Sequence, residues 1–203
     1  MKTEIAVKPL GSLVVKIFAG APLYSIAKLS VKEEGVPLLN IKDVKEGRIV
    51  INNSSFVSLN NFKNADHYLV QSGDVLITCR GTQLKAAVVP DTLKNALITA
   101  NLIAIRLNDR ILPEFLAAYF RTDPGQKDLL SNIASISAQI VLNVADIIKT
   151  NIPVPPLVLQ EQIVKLTNIA EEQYRLNIEM ADLNRKIANQ VLIDMLKPEV
   201  TSE

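Results

Sequence analysis

Asn151-Ile152-Pro153-Val154-Pro155-Pro156 stands directly before Leu157 to Leu196, a run of 40 residues without glycine or proline. The first stretch cannot be helical, because each proline removes a backbone donor and pushes the residue before it towards an extended conformation. The second predicts one helix roughly 60 Å long at 1.5 Å per residue. Within it Leu166, Ile169, Gln173, Leu176, Met180, Leu183 and Ile187 alternate spacings of three and four, the seam of a coiled coil with Gln173 as its one polar member. A helix packed along its own domain is the plainer reading. Its length beyond a usual domain diameter favours a helix that seeks a partner. The boundary therefore falls at the prolines: a domain over 1–152, then a Pro-rich hinge and a long helix over 153–203, the helix itself at about 157–196.

Upstream of the prolines the texture is different. Val36 to Ile41, Arg48 to Ile51, Asp74 to Cys79, Ala86 to Val89 and Leu97 to Leu107 are short, rich in β-branched residues and separated by Lys-Glu-Gly, Ser-Gly-Asp, Arg-Gly-Thr and Pro-Asp. Such spacing predicts a mostly antiparallel β arrangement rather than regular βαβ alternation. After Asn108 helical signals appear: Pro113 at a first helical position before an apolar stripe to Phe120, a second short helix over Gln126 to Ile133, and a third opened by Asn143 as cap. The expected class is α+β, a β-rich domain with short helices followed by one long coiled-coil-type helix.

Composition narrows the function. With 203 residues, 48% hydrophobic and 21% charged, the chain is long enough to bury roughly 70% of its unfolded surface and is not disordered. No run of about 18 uncharged apolar residues suggests a membrane span. Met1-Lys2-Thr3-Glu4 lacks the apolar core of a signal peptide, which points to the cytoplasm. Charge is divided: residues 1–150 hold 17 basic and 13 acidic side chains, residues 151–203 hold 5 and 8. A mildly basic body can accept a polyanion, though it lacks the charge density of a non-specific binder.

Catalytic chemistry is hard to find. His67 is the only histidine and Cys79 the only cysteine, so no His/Cys metal cluster can be assembled. Asp66-His67 are sequence neighbours and rarely point at one substrate; a surface histidine is the stronger reading. Cys79 ends an apolar strand and reads as a small core residue. The Gly-x4-Gly-Lys phosphate loop is missing. Asn151 to Pro156 lacks the aromatic of the methyltransferase Asn-Pro-Pro-aromatic motif, and no glycine-rich cofactor loop accompanies it. No catalytic residue, metal or cofactor is expected.

What remains are polar loops between strands. Lys42, Asp43, Lys45 and Arg48 form one group; Asn52, Asn53, Asn60, Asn61, Lys63 and Asn64 a second; Arg80, Gln83 and Lys85 a third. Arg and Lys suit guanine edges, Asn and Gln adenine edges, and all of them phosphates. The candidate DNA-contacting residues are Lys42, Arg48, Lys63, Arg80, Gln83 and Lys85. Each alone also reads as an ordinary solvated loop residue, and turns favour asparagine for their own reasons.

Several stretches together resemble the DNA specificity subunit of type I restriction-modification systems. They are Pro9-Leu10-Gly11-Ser12-Leu13 with Ala19-Gly20; Pro37 to Val44 with Gly47-Arg48-Ile49; and Gln71-Ser72-Gly73-Asp74-Val75-Leu76-Ile77-Thr78 with Arg80-Gly81-Thr82. Asn101-Leu102, Pro113-Glu114-Phe115-Leu116 and Gln126 follow, then Ile152 to Leu157 with Gln160-Glu161-Gln162-Ile163-Val164. Their order and spacing carry the resemblance over nearly the whole chain. Ala134-Ser135-Ile136-Ser137-Ala138 departs from it where the family often has Gly-Ser or Gly-Thr.

The resemblance implies one target-recognition domain with its spacer helix, where the usual subunit has two of each. It implies double-stranded DNA as ligand, DNA methyltransferase (modification) subunits as partners and, in complexes that cut DNA, a restriction and translocation subunit. A chain carrying one half needs a second half. A homodimer through Leu166, Ile169, Gln173, Leu176, Met180, Leu183 and Ile187 is expected, and two identical domains would read an interrupted palindrome. The competing reading is a scaffold or decoy that dimerises and binds methylation subunits without reading bases; such a protein has no need of the Asn/Lys/Arg loops.

Overall fold

Turn-forming residues interrupt the apolar runs every few positions, so the strands are short. The computed structural model describes residues 5–26, 29, 31–32, 35–51, 55–60, 62–81, 84–133 and 140–196. In chain order the strands are β1 (Ala6–Pro9), β2 (Val14–Ala19), β3 (Val31–Lys32), β4 (Val36–Leu39), β5 (Val44–Lys45), β6 (Arg48–Ile49), β7 (Ser55–Val57) and β8 (Leu69–Val70). There follow β9 (Val75–Thr78), β10 (Arg80–Gly81), β11 (Ala86–Val88), β12 (Ala96–Ile98), β13 (Leu102–Leu107), β14 (Ile140–Val141) and β15 (Asn151–Val154). The helices are α1 (Leu23–Ile26), α2 (Pro113–Phe120), α3 (Asp123–Leu130), α4 (Val144–Ile147) and α5 (Leu157–Met195).

Two sheets carry the first unit. One runs β11-β9-β13-β2, the other β3-β7-β4-β12-β8, and the pairs β1-β15, β5-β6 and β10-β14 complete the set. Among the described strands the pairings are antiparallel except β4 with β12, where Leu38 and Leu39 lie beside Leu97 and Ile98, and an isolated parallel bridge joins Ala21 to Thr99. The class is α+β, as the sequence predicts.

The core follows from strand alternation. Ala96 and Ile98 join Leu39, Val44, Val70, Leu76, Ala87, Leu102 and Ala104 in the larger apolar cluster. Leu97 turns the other way, into a second cluster with Ala21 and Val57. β12 is thus covered on both faces, and its sequence reads as a continuous apolar run for that reason. Each fully buried leucine or isoleucine here contributes about 1.5–3 kcal/mol. α2 packs on β9 and β11, with Phe115, Leu116 and Phe120 buried.

Two sequence expectations need correction. Leu97 to Leu107 is not one strand: Leu102 N–H turns back to Thr99 O at 2.9 Å, and β12 and β13 end in different sheets. The second helix begins earlier than Gln126. Thr122 caps it by accepting Gly125 N–H at 3.2 Å, and α3 runs Asp123–Leu130. Asn143 does cap α4, taking Asp146 N–H at 2.9 Å. The expected turn at Ala134 to Ala138 lies outside the described residues.

The proline stretch is extended, as its chemistry demands. β15 pairs with β1, Ala6 opposite Val154 and Pro9 opposite Asn151. α5 starts immediately afterwards, and Gln160 holds its first turn. Fully buried, Gln160 accepts Leu112 N–H at 2.8 Å and donates to Arg110 O at 3.1 Å and Pro155 O at 2.8 Å. The chain divides into two units, residues 1–162 and 163–203. In the second, the predicted seam is solvent-facing: Leu166, Ile169, Leu176, Met180, Leu183 and Ile187 are between 53% and 69% exposed. No helix among the described residues is long and apolar enough to cross a membrane.

A candidate nucleic-acid interface

Lys45-Glu46-Gly47-Arg48 makes a hairpin with a two-residue turn. Lys45 and Arg48 are Cα partners, and the two residues between them have positive φ, 46° at Glu46 and 76° at Gly47. Positive φ at both central positions defines a type I′ turn, whose twist matches that of paired strands and which favours glycine. A second demand falls on Gly47. A Cβ there would lie 2.1 Å from Nη1 of Arg121, so the guanidinium rests against the back of the turn. Arg121 itself follows α2, its N–H bonded to Ala118 O at 3.1 Å.

Beside the turn lies the segment entering β11. Lys85 N–H donates to Thr78 Oγ1 at 2.8 Å and Thr78 N–H to Lys85 O at 2.9 Å. Leu84 is held by the side chain of Gln126, which accepts Leu84 N–H at 3.3 Å and donates to Leu84 O at 3.1 Å and also to Phe120 O. One amide thereby pairs both backbone groups of Leu84 and a helix-end carbonyl. Turn, segment and Arg121 enclose a cleft of about 470 Å³, lined by Lys45, Glu46, Gly47, Leu84, Lys85, Ala86 and Arg121. Among the described residues three cationic groups meet one carboxylate there.

The sequence candidates are distributed unevenly about this cleft. Lys85 lines it, and Arg48 is exposed on the adjoining strand. Lys42 is exposed on a 3-10 turn whose partner residue Asp43 is buried and bonds Asn40 N–H at 2.8 Å. Lys63 is exposed before the 3-10 turn of Ala65–His67, and Arg80 is exposed on β10, opposite Val141. None of Lys42, Arg48, Lys63 or Arg80 lines the cleft. Gln83 lies outside the described residues, as do Asn52, Asn53 and Asn61. Lys45 stood within a recognised loop group but not among the candidates. Arg121 was missed entirely; no pattern around it signals a role, since it reaches the cleft only through the placement of α2.

Cys79 and Tyr119 are structurally occupied. Cys79 is buried, its Sγ donating to Ala100 O at 3.3 Å, and burial pushes its thiol pKa above the usual value, which disfavours the thiolate. Tyr119 donates to the Asp128 carboxylate, and desolvation together with that hydrogen bond pushes its hydroxyl far above the usual phenol range. His67 is exposed. Among the described residues no group of three or more His, Cys, Asp or Glu could hold a metal ion.

The sequence model of the family described as the type I restriction modification DNA specificity domain matches residues 10–177. No curated protein matches. Among solved structures, the HsdS subunit from Thermoanaerobacter tengcongensis superposes with a TM-score of 0.63 at 20% identity, over 96% of this chain and 45% of that one. A chain from a structural study of complex assembly and conformational transition of the type I R-M system gives 0.65 at 19% identity, over 92% and 43%. The type I S subunit from M. genitalium gives 0.57 at 14% identity, over 93% and 45%. The chain therefore spans less than half the length of the solved subunits it matches.

Proposed function

This chain belongs to the type I restriction-modification DNA specificity family, and on that premise we propose that it is a non-catalytic subunit reading one half of a split DNA target. The single observation that carries the reading is the extent of the family match. It runs from Leu10 through the body and into α5, so one recognition body and one long helix both fall within it. In this reading residues 1–152 recognise DNA and residues 153–203 are hinge and spacer.

DNA contact, to bases or to phosphates, is assigned to the loops, with Lys42, Arg48, Lys63, Arg80, Gln83 and Lys85 as its candidate side chains. The major groove shows each base pair a distinct set of donors and acceptors, and exposed Arg and Gln side chains can address them. The second half is supplied by a second copy. The exposed seam of α5 offers six large apolar side chains and Gln173. Burying them yields a gross gain on the order of ten kcal/mol before association entropy is subtracted. Two-fold pairing then gives two identical domains and an interrupted palindromic target. Gln173 selects the register, a known use of a lone polar seam residue. Methylation subunits supply the chemistry and, where the complex cuts DNA, a restriction subunit joins them; the work is done on chromosomal and invading DNA in the cytoplasm.

The test is selection from a random duplex pool with the full chain and a type I methylation subunit. Enrichment of two inverted half-sites at a fixed gap is expected. A methylation subunit retained without any enrichment of sequence would replace this reading with the scaffold or decoy.

A further inference from the structure

We infer that the cleft between the β5–β6 turn and the Leu84–Ala86 segment is a seat for a DNA backbone phosphate, gripped by Lys45, Lys85 and Arg121, and that it positions the duplex without reading bases. The inference rests on the DNA-binding reading above. Shape is the first argument. Base edges lie recessed in a groove and must be met by protruding side chains, whereas phosphates project from the duplex and can enter a concavity. Chemistry is the second. Among the described residues the lining holds two ammonium groups and a guanidinium, all suited to phosphate oxygens. The guanidinium forks onto phosphate oxygens while each ammonium acts as a compact point charge.

Rigidity is the third argument. Gln126 fixes Leu84, the Thr78–Lys85 pair fixes the next residue, and the turn rests on Arg121, so the backbone that carries the two lysines is in place before DNA arrives. Preformed geometry lowers the ordering cost of binding. Glu46 sits in the same lining and opposes an anion. Its charge weakens the seat.

The experiment measures binding of the full chain to two duplexes of unrelated sequence across a salt series. The triple variant Lys45→Ala, Lys85→Ala, Arg121→Ala should lose roughly tenfold affinity, equally on both duplexes. The slope of log K against log salt should become shallower by about 0.9 for the one phosphate lost. Arg121→Lys should retain the wild-type slope, and Lys149→Ala, outside the cleft, should leave affinity on both duplexes as in the wild type. Glu46→Gln provides an independent arm and should tighten binding to both duplexes alike. An unchanged slope in the triple variant, a loss confined to one duplex, or a Glu46→Gln protein that binds no tighter would overturn the seat while leaving the DNA-binding reading in place. A wild-type chain with no affinity for either duplex at low salt would remove both.

Discussion

Asp74 accepts two hydrogen bonds from the guanidinium of Arg106, Nε at 2.8 Å and Nη2 at 2.9 Å, across the β9–β13 pairing. Its carboxylate, 1% exposed, also takes Gln71 N–H at 2.9 Å. The Gly73-Asp74 pair of the recognised family block is thus a fastening of the sheet, and these hydrogen bonds hold Arg106 even more firmly protonated than usual. Replacing Asp74 by alanine strips a nearly buried charge pair of one partner. Breaking such a pair costs about 3–5 kcal/mol, and Arg106, still 26% exposed, recovers some hydration, which sets the loss near the lower figure. Urea denaturation measures it; a loss under about 1 kcal/mol contradicts a fastening role.

Gln126→Leu should loosen the segment that carries Lys85. The substitution leaves Leu84 N–H and C=O without their side-chain partner at a residue only 3% exposed, for a cost of about 2 kcal/mol. Gln126→Glu keeps the acceptor for Leu84 N–H and loses both donors, so it should be no milder than half as damaging. Amide hydrogen exchange at Leu84 and Lys85 should speed up in the leucine variant; protection equal to wild type argues against the clamp.

Gly47→Ala carries two separable penalties. Positive φ disfavours any side chain by about 1 kcal/mol, and the added Cβ collides with Nη1 of Arg121 at 2.1 Å. The second penalty falls on the far end of a flexible side chain and should vanish when Arg121 is alanine. A double-mutant cycle should therefore show coupling of about 0.5–1 kcal/mol between positions 47 and 121. Strict additivity would mean that Arg121 does not rest on the turn.

Changing Leu176 and Leu183 together to lysine should abolish self-association while the thermal transition of the body stays unchanged. Both side chains are more than half exposed in the single chain, so the folded monomer loses little, whereas a paired seam would have to bury two ammonium groups. Sedimentation equilibrium at micromolar concentration reads the result. A wild-type monomer there contradicts the pairing outright.

Much of the architecture is legible in local chemistry. Three prolines dictate an extended β15, and a forty-residue run free of glycine and proline dictates α5; the helix spans Leu157–Met195. Pro113 and Asn143 mark their helix starts because a missing donor and a side-chain acceptor act within one turn. Lys-Glu-Gly-Arg signals its hairpin by the same local logic.

Other features depend on distant partners. β1 and β2 carry exposed residues among apolar ones and offer little periodicity; pairing with β15 and with β13 makes them strands. Leu97 to Leu107 looks like one strand since every residue to Ile105 except those of the Thr99-Ala100-Asn101 turn is apolar, and only the two sheets on either side divide it. The cleft is the extreme case. Lys45, Lys85 and Arg121 are forty and thirty-six positions apart, each an ordinary surface cation in sequence. Side-chain periodicity encodes which face of an element is buried, and it holds no record of which elements meet. That convergence was decided by the tertiary packing of α2, β11 and the β5–β6 hairpin alone.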